Sequence, residues 1–87
     1  MRSLAVRITN PLGLHARAAA RFVHAASAFS CQVRVACGSR VMDGKSIMGL
    51  LLLAAAHGTE IVIATDGPDE AAAIETLAQL VAGGFEP

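Results

Sequence analysis

The sequence predicts an α+β domain in the order β-α-β-β-α-β-α, four short strands in an antiparallel or mixed sheet with helices over one face. Three observations predict it. Apolar residues alternate at a period of two in some stretches and recur at helical spacing in others. Gly, Pro, Asn and Asp gather between those stretches. The chain has 87 residues, 54% apolar and 16% charged, enough for one core and not for two. One domain over residues 1–87 is therefore expected, with no repeat, linker or low-complexity segment, and with the second sheet face open to water.

Each element has its own warrant. Leu4, Val6 and Ile8 alternate with Ala5, Arg7 and Thr9, which describes a half-buried first strand. Asn10-Pro11-Leu12-Gly13 is turn chemistry and ends it. From Ala16 to about Ser27 the pattern is helical: Ala19, Phe22, Ala26 and Phe29, joined by Val23, form the core stripe, while Arg17, Arg21 and His24 face water. Cys31 to Cys37 reads as a second strand with Gln32 and Arg34 outward. Gly38-Ser39 turns the chain into a short third strand, Arg40 to Met42. Ser46 is a suitable N-cap for the apolar helix that follows, which Gly58 stops. Glu60 to Thr65 is a fourth strand. Asp66-Gly67-Pro68-Asp69-Glu70 opens the last helix with a cap, an early proline and first-turn acids. That helix carries a core stripe of Ile74, Leu77 and Val81 and ends at Gly83-Gly84.

Composition excludes several classes of function. The aromatics are Phe22, Phe29 and Phe85 alone, too few for a base-stacking platform, and a net charge of zero grips no polyanion, so no nucleic-acid partner is expected. The zero hides a partition. Residues 1–42 hold six arginines and no acid, and residues 43–87 hold Lys45 against seven acids. Mutual neutralisation across the fold is expected for most of them, with part of the basic half left to meet an anion or an acidic partner. The start of the sequence, Met1 to Arg7, leads us to expect no signal peptide, and the longest apolar run, Ile47 to Ala56, is about half of the ~20 residues a bilayer needs, so a cytoplasmic protein without membrane insertion is expected. Cys31 and Cys37 would stand about 20 Å apart along a strand, beyond disulfide reach, which also argues against a metal site.

The chemistry concentrates in Asn10-Pro11-Leu12-Gly13-Leu14-His15-Ala16-Arg17. A turn delivers His15 to the start of a helix, where backbone N–H groups lack partners and the dipole is positive. The sequence places no acid in this first turn. It places Arg17 and Arg21 in the helix, unfavourable with the dipole and with each other at i, i+4. That arrangement becomes sensible when an anion arrives, and a phosphoryl group on the His15 ring is such an anion. A neutral imidazole nitrogen is a competent nucleophile near neutral pH, and Arg17 could neutralise the phosphate oxygens. Taken alone, a histidine before a helix is more often a simple loop residue.

Gly13-Leu14-His15-Ala16-Arg17 resembles the phosphorylation-site signature of the HPr family of histidine-containing phosphocarrier proteins, which belong to the bacterial phosphoenolpyruvate-dependent phosphotransferase system. Gly44-Lys45-Ser46-Ile47-Met48-Gly49-Leu50-Leu51 resembles the serine-site region of the same family, at the right separation, and the resemblance covers essentially the whole chain. It implies an open-faced β-sandwich, a four-stranded antiparallel sheet covered on one face by three helices. It implies a phosphocarrier rather than an enzyme: Enzyme I would phosphorylate His15, at the ring Nδ1, and phospho-His15 would pass the group to an enzyme II A-type domain with Arg17 assisting. Phosphoenolpyruvate and Mg²⁺ would belong to Enzyme I, leaving this chain no cofactor of its own, and a monomer is expected. Sugar-uptake members usually carry proline where this chain has Ala18. In that it is similar to the nitrogen-related branch, a regulatory phosphorelay without transport.

Ser46 is the second candidate. In some members the matching serine is phosphorylated by a dedicated HPr kinase/phosphorylase, and a phosphate at a helix N-terminus would alter docking rather than folding. Gly44-Lys45-Ser46 is also similar to the end of a P-loop, but five residues separate Gly38 from Gly44 where four are needed, so nucleotide binding is rejected. The helix after Ser46 is apolar all round. Ile47, Met48 and Leu51 are expected to stay exposed as a docking surface, rimmed by Arg21. His24 is expected to be a plain solvent-facing residue, and His57 a helix-end residue without chemistry.

Overall fold

A computed structural model describes residues 1–86. The elements run β1 (Arg2–Arg7), α1 (Ala16–Ala26), β2 (Gln32–Cys37), β3 (Arg40–Asp43), α2 (Ile47–Leu53), β4 (Glu60–Asp66) and α3 (Glu70–Ala82). The strands form one sheet in the order β1-β4-β2-β3, every neighbouring pair antiparallel. Ile61, Ile63 and Thr65 of β4 and Val33 and Val35 of β2 point to the covered face and are buried; Val62, Gln32 and Arg34 point to the open one. The period-two pattern thus chose the face, as strand geometry requires. The helices close the other side. α3 lies over β1 and β4, α2 against β3 and β2, and α1 packs between α2 and α3. Phe22, Leu50 and Leu77 bring one large side chain from each helix into the core, each such burial worth about 2 kcal/mol. No helix among the described residues is long and apolar enough to cross a membrane.

Three local expectations are corrected. Leu4 is not tucked inward but 48% exposed, because β1 is an edge strand with no neighbour on its outer side. α2 stops at Leu53, with Ala54 left-handed at φ 52°, rather than running to Gly58. Alanines permit helix, but the Ala55 carbonyl accepts the Leu14 N–H at 2.9 Å and the Gly58 N–H donates to Ile8 O at 2.8 Å; these tertiary bonds outweigh a weak local propensity. His57 is therefore four residues past the helix, not at its end. Finally, Pro68 precedes α3 instead of opening it.

Asp69, at the N-cap position of α3, makes no cap bond. Its carboxylate accepts the Ser30 N–H at 2.8 Å and the Cys31 N–H at 2.9 Å, tying the start of α3 to the loop before β2. The Ser30 N–H above all, and then that of Cys31, holds this carboxyl below the usual carboxylate range. A depressed folded value stabilises the fold above the unfolded pKa and ceases to do so as pH falls through the folded one. Asp69→Asn is therefore expected to lower the urea midpoint at pH 7, and the gap from the parent to close below about pH 4. A gap independent of pH would refute the assignment.

Cross-fold neutralisation reaches fewer charges than expected. Arg2 meets Glu70 at 3.9 Å and Arg21 meets Glu86 at 3.4 Å. Arg7 and Arg40 instead donate to the carbonyls of Gly58 and Leu52, both at 2.8 Å. Among the described residues Arg17 and Arg34 have no side-chain partner.

Candidate functional site

The site begins with a turn that only glycine permits. Gly13 has φ +66°, and a Cβ there would stand 2.5 Å from Ala55 O. Its N–H donates to Asn10 O at 3.1 Å, and Asn10 Nδ2 donates to Gly13 O at 2.7 Å. The turn is thus pinned at both ends before the chain reaches His15. His15 is the N-cap of α1, with φ −82° and ψ −180°, and its carbonyl accepts the Ala19 N–H at 2.8 Å. Its ring makes no cap hydrogen bond, so the imidazole of this half-buried residue is not committed to the helix. The N–H groups of Ala16, Arg17 and Ala18 have no acceptor among the described residues, and the first turn holds no acid. Ala18 is buried at the base of this turn.

The C-terminal end of the chain completes the surroundings. α3 closes in a Schellman motif: Gly84 is left-handed at φ +74°, its N–H donates to Val81 O at 3.0 Å, and the Phe85 N–H donates to Leu80 O at 2.8 Å. Phe85, 1% exposed, plugs the core. Arg21 of α1 reaches across to donate to Phe85 O at 3.1 Å. One hollow is lined by His15, Arg17 and Arg21 from α1, by Asn10 to Leu12 from the turn, and by Gly84 to Glu86 from the tail. Sequence reading placed the histidine and arginines here and missed the tail. Its signal was present in Gly83-Gly84-Phe85, a glycine stop followed by an apolar residue with a place in the core.

Ser46 caps α2 as expected, its Oγ accepting the Gly49 N–H at 3.0 Å. Ile47, Met48 and Leu51 are 43%, 67% and 36% exposed, and Leu52 joins them. A separate apolar groove between α1 and α3 is lined by Ala20, Ala25 and Leu80 and edged by Arg17, Arg21 and exposed His24. Among the described residues no group of three or more His, Cys, Asp or Glu could hold a metal ion. Cys31 and Cys37 are both free thiols.

A one-sided antiparallel sandwich, with a histidine freed from capping duty at the start of its first helix and, two residues on, an arginine without a partner among the described residues, defines a small carrier-type domain that presents its chemistry at the surface. A family model described as "PTS HPr component phosphorylation site" matches residues 3–83. The phosphocarrier protein HPr of Neisseria meningitidis is 50% identical over 80 residues, covering 92% of this chain and 90% of that protein. That of Pseudomonas aeruginosa is 45% identical over 87 residues, covering 99% and 97%. The crystal structure of HPr from Thermoanaerobacter tengcongensis superposes with a TM-score of 0.94 at 39% identity, over 98% of this chain and 96% of that one. The chain belongs to the HPr family and is a phosphocarrier of the phosphotransferase system.

Proposed function

We propose that His15 accepts a phosphoryl group from phospho-Enzyme I and passes it to an enzyme II A-type domain. The observation that carries this is the uncapped imidazole at an N-terminus whose first N–H groups and neighbouring Arg17 lack partners among the described residues. A neutral ring nitrogen attacks the phosphorus, the bond from phosphorus to the donor breaks as the new N–P bond forms, and the donor recovers its electron pair. The same exchange with an acceptor discharges the protein. Nδ1, the nitrogen that the family resemblance implies, is the ring nitrogen nearer the main chain, which sets a phosphoryl group there beside the first-turn N–H groups. Arg17 stabilises the charge on the transferring group. The protein acts as a substrate of its partners, with Mg²⁺ and phosphoenolpyruvate handled by Enzyme I.

Ile47, Met48 and Leu51 form the docking surface for both partners, and Arg21, which lines the hollow with His15 on the tail side of α1, meets them beside the histidine. Ser46 is the residue an HPr kinase/phosphorylase would modify, and a phosphate beside that surface would repel an acidic partner. The second reading, a nitrogen-type regulatory relay rather than sugar transport, is favoured by Ala18. Alanine continues the helix there as well as proline starts one.

The test is intact mass after incubation with Enzyme I, phosphoenolpyruvate and Mg²⁺, with an acid-treated aliquot alongside. One added phosphoryl group that disappears in acid is expected. No gain with either the sugar-type or the nitrogen-type Enzyme I sinks the proposal; a gain with both assigns the branch by relative rate. Arg17→Ala is expected to slow uptake roughly tenfold or more without preventing it, since the acceptor remains. Unchanged kinetics in a rapid-quench assay would remove Arg17 from the mechanism.

A further inference from the structure

We propose that Arg21 is a second phosphate-handling cation, held by the C-terminal tail while His15 is empty and transferred to the phosphoryl group once His15 is charged. The inference rests on the reading of His15 above and adds to the docking role given to Arg21. In the uncharged protein, one guanidinium nitrogen of Arg21 donates to Phe85 O at 3.1 Å and lies 3.4 Å from Glu86 Oε2. Helix α1 supplies no carboxylate of its own, only Arg17, Arg21 and His24. Arg17 and Arg21, four residues apart, share one helix face and repel each other. Among the described residues Glu86 is thus the counter-charge that the tail lends to this face.

That loan is weak by construction. Glu86 is 74% exposed and Arg21 is itself partly open to water, and an exposed ion pair of this kind contributes little. His15, Arg17, Arg21, Phe85 and Glu86 all line the same hollow. A phosphoryl group on His15 brings nearly two negative charges and three acceptor oxygens into it, and outcompetes a single solvated carboxylate for the guanidinium. A guanidinium carries five donors in a rigid fork, so Arg21 can turn to phosphate without leaving the hollow. Glu86, now beside a dianion and without its partner, is repelled toward water. Phe85 stays buried, so the exchange at the tail turns on the Glu86 side chain.

The primary test is an amide and arginine-side-chain NMR spectrum of the protein before and after phosphorylation, with charging verified by mass. The Arg21 Nε–H and Glu86 N–H signals are expected to move in the parent protein, and the Glu86 shift to vanish in Arg21→Gln and return in Arg21→Lys. Complete charging with silent Arg21 and Glu86 signals overturns this inference alone; absence of charging overturns it together with the reading of His15. Kinetics separate the new role from docking. Arg21→Gln is expected to lower kcat for uptake about fivefold, beyond whatever its docking contact adds to KM for Enzyme I. A rise in KM alone reduces Arg21 to a docking residue.

Discussion

His15→Ala is expected to abolish acid-labile phosphoryl uptake while leaving the fold as stable as the parent. The loss should be complete, because the acceptor nitrogen is removed and no other imidazole shares the arrangement: His24 is exposed on α1 and His57 lies exposed beyond α2. The stability expectation comes from the cap. Truncating an N-cap side chain ordinarily costs about 1 kcal/mol through its lost hydrogen bond. His15 makes no such bond, so the unfolding free energy should stay within about 0.5 kcal/mol of the parent. The measurement pairs intact mass with urea unfolding. Retained labelling would place the acceptor elsewhere, with Ser46 the next residue to examine. A large loss of stability would mean that the ring has a structural duty the geometry does not reveal.

The same geometry shows what could be read from the sequence and what could not. Strands and helices were legible because their periodicities report which face is buried: Val33 and Val35 sit inside, Gln32 and Arg34 outside, as alternation demands. His15 and Arg17 were legible because a turn, a histidine and a helix start adjoin in sequence. Leu4 was not, since its exposure follows from β1 being an edge, and an edge is a property of strand order rather than of the strand. The end of α2 was not, since it is set by bonds between Ala55 and Leu14 and between Gly58 and Ile8, more than forty residues apart. The tail was not, since Arg21 and Phe85 meet across 64 residues. Local chemistry is written locally. The features that surround His15, and that distinguish an uncapped histidine from a carrier site, are mostly long-range.

Gly13→Ala is expected to damage stability and transfer together. Two penalties combine. At φ +66° an alanine adopts a left-handed conformation that costs about 1–2 kcal/mol. Its Cβ would also stand 2.5 Å from Ala55 O and 3.0 Å from Ala56 Cα, both backbone atoms that cannot swing aside, and forced main-chain movement of this kind costs typically 1–3 kcal/mol more. A total near 3 kcal/mol should lower Tm by more than about 10 °C in a domain of this size. Gly38→Ala separates the two effects. Gly38 also has a positive φ, +61°, but nothing within 4 Å of a built Cβ, so it should lose only the conformational part. Relief of the contact at Gly13 must push apart the strand-to-helix turn and the segment after α2, breaking the 2.9 Å bond from Leu14 N–H to Ala55 O. His15 follows Leu14 directly, so its ring would leave the position set by that bond. Transfer should therefore slow even under conditions where the variant is fully folded, which Gly38→Ala should not do. Equal stability losses in the two variants, or a Gly13→Ala protein that charges at the parent rate, would show that close packing of the turn against Ala55 does not position the histidine.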